Sequence, residues 1–238
     1  MKTLKDVLKA GEESFHAVVP FDPGVDKLVM MDFTIANNAL TPEVLNDVGR
    51  FSTYVDDVLA SAGARYGVGG YGEHRTIYSR SSVFNGDGNG EPRRFHLGLD
   101  IWGEAGTPVY AALDSVVHSF AFNDHYGDYG ATIILQHEWE GFSFYSLYGH
   151  LALTDLHLKE GQPIKKGEPF AHFGQPAENG QWPPHLHVQL IRSLDGAKGD
   201  YPGVCRYNEK ETCLANCPDP DLICRLLRFV SNNNLNHP

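Results

Sequence analysis

Residues 131–148 read ATIILQHEWEGFSFYSLY, and this stretch decides the fold class. Its two ends, 131–136 and 142–148, are runs rich in β-branched and aromatic residues, which favour strands. Two similar runs precede them, at 107–112 and 115–120. Because turn signals recur at intervals of about ten residues, the pattern is typical of an antiparallel sandwich or a barrel-like sheet. We therefore predict a mainly β core domain.

The strand pattern covers only part of the chain, which we divide into three segments. Residues 1–80 are predicted to form a mixed α/β N-terminal lead-in, and residues 81–195 the β domain. Residues 196–238 are predicted to form a cysteine-containing extension that is rich in turn residues. A short helix near Asp221–Val230 is expected to end it.

The lead-in contains one predicted helix. It begins at residues 41–43, where Thr-Pro-Glu combines an N-cap, a proline and an acidic residue, and Gly63 is a plausible end. Apolar residues recur at helical spacing in between, so this helix needs a surface to pack against. The glycine-rich stretch 66–72 lacks the strand-loop-helix frame of a phosphate-binding loop, and we interpret it as an irregular connector. Residues 85–91 are predicted to form a surface loop.

Charge and hydropathy exclude several classes of partner. With 19 basic and 30 acidic residues, the net charge is −11, which disfavours a nucleic-acid partner. No apolar run approaches the roughly 18 residues that a membrane span needs, so no membrane span is predicted. The first residues do not form the apolar core of a signal peptide. We therefore expect a cytoplasmic protein, or a periplasmic or secreted one if a leader has been removed.

The cysteines are confined to the C-terminal extension. Without a visible leader, buried reduced thiols are the favoured interpretation, while one or two disulfides and a second metal site remain alternatives. The spacing lacks the paired C-x2-C units of a structural zinc site. The four residues are Cys205, Cys213, Cys217 and Cys224.

One candidate site motif is His96-Leu97-Gly98-Leu99-Asp100. On a strand, the side chains of His96 and Asp100 point to the same face, with Gly98 leaving a gap between them. A metal ion could fill that gap. A hydrogen bond between the imidazole and the carboxylate is an equally good interpretation.

A second motif is His185-Leu186-His187 within an apolar run. The two rings share one strand face, and packing alone explains such a pair poorly, because every buried ring nitrogen needs a partner. His150 closes an aromatic run and gains significance only beside the other motifs. Seven other histidines are interpreted as surface or core residues without a functional partner: His16, His118, His125, His137, His157, His172 and His237.

Together these motifs supply histidines and a carboxylate for a metal. Three protein ligands with an open fourth position are typical of catalytic zinc. A ligand set without thiolate also fits manganese or iron.

These motifs resemble those of the lysostaphin-type, or LytM-like, zinc metallopeptidases, which are peptidoglycan endopeptidases. The resemblance rests on His96-x3-Asp100, the Ala105–Ala111 segment, Leu147–Leu151 and His185-Leu186-His187, and covers roughly Arg94 to Arg192. It implies a β-sheet fold of the duplicated hybrid motif type, with the site in a groove on the sheet face.

The resemblance also implies roles for single residues. His96, Asp100 and His187 would bind one zinc ion per chain. His185 and His150 would flank the water that zinc activates and would position or deprotonate it. General acid–base help of this kind is worth about 10²–10⁴-fold in rate.

Two segments of the lead-in, residues 37–38 and 73–75, each have two interpretations with respect to this site. In some relatives an upstream asparagine occludes the zinc, and Asn37-Asn38 could do so here, although a polar turn is the favoured interpretation. Residues 73–75, Glu-His-Arg, could line the groove, but a solvated charge cluster is favoured.

We therefore predict a zinc-dependent endopeptidase that hydrolyses a peptide bond, with a peptide or peptidoglycan substrate. The oligomeric state is not predicted. One alternative is an intracellular zinc amide or peptide hydrolase whose substrate lies outside the cell wall. Another is a zinc-binding regulatory module without turnover, although the presence of all five site residues argues against it.

Overall fold

The structure is a computed structural model that describes residues 2–85 and 90–230. Most of the predicted loop at 85–91, and His237, lie outside the described residues. The α-helices are α1 (Leu4–Gly11), α2 (Pro42–Leu45), α3 (Val48–Ala62), α4 (Lys210–Asn216) and α5 (Asp221–Cys224). The strands are β1 (Leu28–Met30), β2 (Tyr66–Gly69), β3 (Phe95–His96), β4 (Leu99–Trp102), β5 (Pro108–Tyr110), β6 (Ser115–Asn123), β7 (Gly130–Trp139), β8 (Phe142–Leu151), β9 (Pro163–Ile164), β10 (Pro169–His172), β11 (His185–Ile191) and β12 (Val204–Cys205).

Most strands join one large sheet, and the prediction of a mainly β protein is confirmed. The eight-stranded sheet has the order β1-β2-β4-β11-β8-β7-β6-β9, and two small sheets pair β10 with β5 and β12 with β3. The strands of the predicted β domain pair antiparallel, as expected. The parallel pair in the sheet, β1 with β2, lies in the lead-in, and β2 joins it to the domain by pairing antiparallel with β4. In the described residues the edge strands β1 and β9 do not pair with each other, so the sheet is open and is not a closed barrel.

The centre of the sheet is covered on both faces. Ile133 and Leu135 of β7 pack into the main core cluster, whereas Ile134 between them packs into a second cluster. This second cluster includes Cys205 and Cys217 of the C-terminal extension, so the extension covers that face. Because side chains alternate along a strand, burial on both faces explains the almost continuous apolar run that favours strands in the sequence.

The glycine-rich stretch at 66–72 is not an irregular connector, because Tyr66–Gly69 forms strand β2. It pairs with β1 on one side and with β4 on the other. Gly67 has a packing reason, since a Cβ there would lie 2.6 Å from Met31 Cγ. The glycines that hide the strand in the sequence are thus what allows its neighbours to approach closely.

The predicted helix at 41–63 is divided into α2 and α3. The break lies at Asp47, whose carboxylate accepts hydrogen bonds from the backbone N–H groups of Gly49 and Arg50 and caps α3. Gly63 ends α3 in the left-handed conformation, as its position in the sequence indicates. Phe51 on the buried face of α3 packs beside Trp102 of β4, which attaches the helix to the sheet.

The C-terminal extension contains more structure than the single predicted helix. Both α4 and α5 form there, and Leu227–Phe229 adds a 3₁₀ turn. The four thiols are free; Cys205, Cys217 and Cys224 are buried and Cys213 is half-buried. Within residues 2–85 and 90–230, no helix has the length and apolar character that crossing a membrane requires.

Candidate metal centre

Strand β11 brings the predicted site residues together, because it lies between β4 and β8. Its His187 is paired with Asp100 of β4 on one side and with Gly149 of β8 on the other. His96 lies on β3, which is followed after two residues by β4. His96 and Asp100 therefore sit on two short strands rather than on the single strand that the motif predicts.

His96, Asp100 and His187 form one compact cluster. Asp100 Oδ1 lies 3.0 Å from His187 Nδ1 and 3.4 Å from His96 Nε2, and the two ring nitrogens are 3.0 Å apart. All three side chains are buried. Within the described part of the chain, this is the group of histidine, cysteine and acidic side chains whose arrangement could hold a metal ion.

The hydrogen-bond partners of the two rings fix where their protons are. His96 Nδ1 donates to the Gly70 carbonyl at 2.9 Å, so its Nε2 carries a lone pair. Gln189 donates its amide to the Pro202 carbonyl, so its Oε1 accepts from His187 Nε2 at 3.1 Å, and His187 Nδ1 also carries a lone pair.

Three acceptor atoms thus converge with no proton between them: His96 Nε2, His187 Nδ1 and Asp100 Oδ1. Such an arrangement is repulsive in a buried site unless a cation lies among them. The donor set of two imidazole nitrogens and one carboxylate oxygen is one that zinc accepts. The residues present therefore fit a bound divalent metal.

The gap above Gly98 has a different role from the one predicted. A Cβ at Gly98 would overlap the His187 ring. The space between His96 and Asp100 is therefore occupied by the third side chain of the cluster, which approaches from β11. Glycine is required here by this close approach.

His150 and His185 form a second pair beside the cluster. Their ring centroids are 4.1 Å apart, and His185 stacks on Trp102 with a centroid distance of 3.8 Å. Each Nδ1 donates to a backbone carbonyl at 2.8 Å, that of Asn179 for His150 and that of Pro183 for His185. Both rings therefore keep Nε2 as a free base. His150 has a φ of 62°, a strained conformation of the kind that clusters at functional sites.

The titration properties follow from burial. Burial lowers the pKa of His185 to about 4, and the pKa of His96 also falls to about 4 because the charge of Arg75 adds to the effect of burial. Burial, together with His185 and His187, holds the pKa of His150 well below its ordinary value. These rings are neutral at neutral pH, as a metal ligand or a general base must be.

Asp100 behaves in the opposite way. Burial raises the pKa of a carboxyl group, but the Arg75 guanidinium, which donates to Oδ2, opposes this effect, and the pKa of Asp100 lies well below its usual value. The cluster therefore contains one carboxylate that is ionised and two histidines that can accept a cation.

The cluster of His96, Asp100 and His187 and the pair of His150 and His185 line the same cavity, which has a volume of about 160 Å³. Aromatic side chains make up much of its wall, and Arg75 from the lead-in also lines it. A cavity with an apolar wall and a few convergent polar groups is typical of a ligand site. The phenylalanine, tyrosine and tryptophan residues in its wall are Tyr78, Phe84, Trp102, Tyr129, Trp182 and Tyr201.

The solvated charge cluster predicted at residues 73–75 is wrong for Arg75. Its side chain is 0% exposed and forms ion pairs with Glu73 and Asp100. His74 is exposed, and Glu73 is half-buried. The less favoured alternative, a residue lining the groove, describes Arg75 correctly.

Asn37 lies away from the cluster. Its side-chain amide donates to the Asp32 carbonyl and to Tyr54 Oη, each at 2.7 Å. Among the described residues, neither Asn37 nor Asn38 lines the cavity. The structure thus places these residues in the polar turn that the sequence favours.

Two further residues of the centre are not among the residues predicted from the sequence. Gln189 lies two positions after His187 on β11 and fixes the proton on that ring. The hydroxyl of Tyr129 lies 3.4 Å from the same His187 nitrogen, and the Tyr129 ring is 5.1 Å from the imidazole. The alternation of side chains on a strand places Gln189 on the face of His187, which is the signal that could have found it.

Comparison with known proteins agrees with this geometry. Residues 94–200 match the model of Peptidase family M23, and the match begins at the residue where the motif resemblance begins. The chain is 29% identical over 147 residues to peptidoglycan DD-endopeptidase ShyA of Vibrio cholerae, covering 56% of this chain and 32% of that protein. It is 31% identical over 139 residues to L-Ala--D-Glu endopeptidase of Bacillus subtilis, covering 53% of this chain and 40% of that protein.

The chain therefore spans well under half the length of these two relatives. Among solved structures, the catalytic domain of lysostaphin from Staphylococcus simulans is 19% identical, with a TM-score of 0.39, and the match covers 68% of this chain and 96% of that one. The family predicted from the motifs is confirmed by the match over 94–200.

Proposed function

We propose that this chain, whose residues 94–200 are a peptidase family M23 domain, is a zinc-dependent endopeptidase that acts on peptidoglycan peptides. The observation that carries the proposal is the convergence of three proton-free acceptor atoms, on His96, Asp100 and His187, beside two neutral histidines. A metal binds where these acceptors meet, and two bases lie next to it.

His96, Asp100 and His187 are the proposed ligands, through Nε2, Oδ1 and Nδ1 respectively. A bound zinc ion would supply Lewis-acid activation of a water molecule and polarisation of the scissile carbonyl. Gln189 keeps the proton of His187 on Nε2, so that the other ring nitrogen is available to the metal.

His150 and His185 are the proposed proton-handling residues. The carbonyls of Asn179 and Pro183 hold the protons of these rings on Nδ1, so each Nε2 is directed to accept a proton from the attacking water. No other group is needed as the base, because both rings are neutral at neutral pH. The same rings, once protonated, would donate to the leaving amine.

The substrate class is supported by the names of the relatives. One is a peptidoglycan DD-endopeptidase and another is an L-Ala--D-Glu endopeptidase, so each relative is named for a different bond. For this chain we propose a peptidoglycan stem or cross-bridge peptide, without choosing between these bonds. The aromatic wall of the cavity can hold the apolar parts of a peptide.

The test is digestion of purified peptidoglycan, with the products resolved by mass spectrometry. We expect new muropeptides with the wild-type protein, none after chelation, and recovery when zinc is restored. His185→Ala should give no products, whereas His157→Ala, which changes an exposed histidine outside the cavity, should digest normally. The masses of the products identify the bond.

An absence of products from a protein that contains one zinc per chain would overturn the peptidoglycan substrate. A parallel digestion of a mixed peptide library then separates the two parts of the proposal. Cleavage of the library that depends on zinc and His185 would retain the endopeptidase and assign it a substrate outside the wall. A library left intact by the zinc-loaded protein would overturn the peptidase activity itself.

A further inference from the structure

Arg75 lies outside the family match at 94–200, yet its side chain is wholly buried beside the metal centre. Its Nη1 donates to Asp100 Oδ2, and its Nε donates to Glu73 Oε2 at 2.6 Å. The guanidinium also packs over the Phe33 ring, 5.1 Å from the ring centroid. A buried arginine with two carboxylate partners and a fixed stacking surface has a single defined position.

The two oxygens of Asp100 consequently have different partners. Oδ2 is held by Arg75, whereas Oδ1 faces His187 Nδ1 at 3.0 Å and His96 Nε2 at 3.4 Å. Only Oδ1 is directed towards the point where the acceptor atoms converge. The carboxylate therefore offers one oxygen, not two, to a cation.

We propose that Arg75 is a positioning residue of the metal centre, which holds Asp100 as a one-oxygen ligand. The inference rests on the proposed function, because it takes the cation to be bound by Asp100, His96 and His187. A ligand that occupies one coordination position, rather than two, leaves more of the coordination sphere open to water and substrate.

The backbone around Arg75 is built to hold this contact. Gly70, which follows β2, accepts a hydrogen bond from His96 Nδ1 at 2.9 Å, and a Cβ at this position would overlap the Arg75 guanidinium. The backbone N–H of Arg75 donates to the Arg94 carbonyl at 2.8 Å, at the first residue of the family match. One segment of the lead-in thus orients two proposed ligands, His96 through Gly70 and Asp100 through Arg75.

A positioning role and a simple charge effect predict opposite changes in metal affinity when Arg75 is replaced. If the arginine acted only as a nearby positive charge, removing it would tighten the binding of a cation. If it positions Asp100, removing it should weaken metal binding, by about 10–100-fold for a partner of this kind. The sign of the change in affinity therefore distinguishes the two roles.

The experiment measures zinc affinity by competition with a chelator, together with the visible absorption spectrum of the cobalt-substituted protein. Wild type is measured first, since failure to bind one zinc per chain would overturn the proposed function itself. In Arg75→Met we expect zinc affinity to fall at least tenfold. We also expect the cobalt absorption to weaken, as the freed carboxylate binds through both oxygens and raises the coordination number.

Two further variants keep the result interpretable. Arg75→Lys retains the buried charge and the fold but cannot hold Glu73 and Asp100 in the same geometry, so its affinity should also fall. Arg80→Met is the matched control. Arg80 is also a buried arginine of the lead-in, but it bonds Tyr126 and Gln181 rather than a proposed ligand. Its zinc affinity and cobalt spectrum should match those of wild type.

Wild-type zinc affinity and an unchanged cobalt spectrum in either folded Arg75 variant would overturn the positioning role. Tighter zinc binding in Arg75→Met would overturn it as well, in favour of a pure charge effect. Equal losses in Arg75→Met and Arg80→Met would show that the changes follow from general destabilisation, and would also overturn it.

Discussion

At the scale of single residues, His187 has a different partner on each ring nitrogen. Nδ1 faces Asp100 Oδ1 at 3.0 Å, and Nε2 faces Gln189 Oε1 at 3.1 Å. In His187→Ala we expect zinc affinity to fall by about 100-fold or more, because loss of a ligand exceeds the loss of a supporting partner, and activity to disappear with it. Metal analysis after dialysis checks this, and one retained zinc per chain would contradict the ligand assignment.

His185 should behave differently, because its Nδ1 is bound to the Pro183 carbonyl and its ring stacks on Trp102 rather than joining the acceptor cluster. We expect His185→Ala to keep one zinc per chain while turnover falls about 10²–10⁴-fold. Metal content and initial rates measured on the same sample test this. Normal turnover would remove His185 from the proposed mechanism.

His137 provides a pH prediction that is independent of the metal. It is a buried core histidine whose Nε2 lies 2.6 Å from Ser146 Oγ, and burial lowers its pKa to about 4. An unfolded histidine titrates near pH 6.5, so the unfolded chain binds more protons between pH 6.5 and 4. The free energy of unfolding should therefore fall as the pH drops through this window.

The His137 contribution is separable by mutation. At pH 4 it amounts to about 3 kcal/mol, and His137→Gln should remove that part of the pH dependence. Urea unfolding of both proteins at several pH values measures the difference. If the free energy of unfolding fell equally with pH in the two proteins between pH 6.5 and 4, His137 would not be the source of this pH dependence.

At the scale of secondary-structure elements, α3 depends on its cap. The carboxylate of Asp47 accepts from the backbone N–H groups of Gly49 and Arg50 at 2.9 and 3.0 Å. Asp47→Ala should lower the free energy of unfolding by about 1 kcal/mol. Asp57→Ala, at an exposed position on the same helix, should change it by less than about 0.5 kcal/mol. Equal effects of the two changes in denaturant unfolding would refute the capping role.

Elements with local signals can be predicted from the sequence, and those that depend on distant partners cannot. The runs that form β7 and β8, and Gly63 at the end of α3, carry their signals within a few residues. Strand β2 does not, because its glycines make sense only against Met31. The division between α2 and α3 depends on one side-chain cap within an otherwise continuous helical pattern.

The same distinction applies at the site. The spacings of His96 to Asp100 and of His185 to His187 are visible in the chain, and the structure brings these residues together. The burial of Arg75 is not visible, because its partner Asp100 belongs to another segment. The pairing of β2 with β4, together with backbone hydrogen bonds such as that from Arg75 to the Arg94 carbonyl, brings that segment alongside the lead-in.

At the scale of the whole molecule, the core does not depend on the metal. The apolar clusters on the sheet bury large side chains such as Trp102, Phe144 and Tyr148, whose burial needs no metal ion. Removing zinc with a chelator should reduce the free energy of unfolding only by the free energy of zinc binding. The thermal midpoint should fall accordingly, and the transition should stay cooperative. Circular dichroism during heating measures this, and an unfolded signal at room temperature would indicate a structural metal site.

The pairing of β2 with β4 has a practical consequence for how the protein is divided. The family match begins at Arg94, but the strand that carries Asp100 has its outer neighbour in the lead-in. A fragment that began at Arg94 would leave the backbone groups of residues 100–102 unpaired on that side and would remove Phe33 and Phe51, which pack on the buried Trp102 ring. Such an edge is a template for strands of other molecules, so we expect the fragment to self-associate more strongly than the longer chain, as size-exclusion chromatography of the two would show.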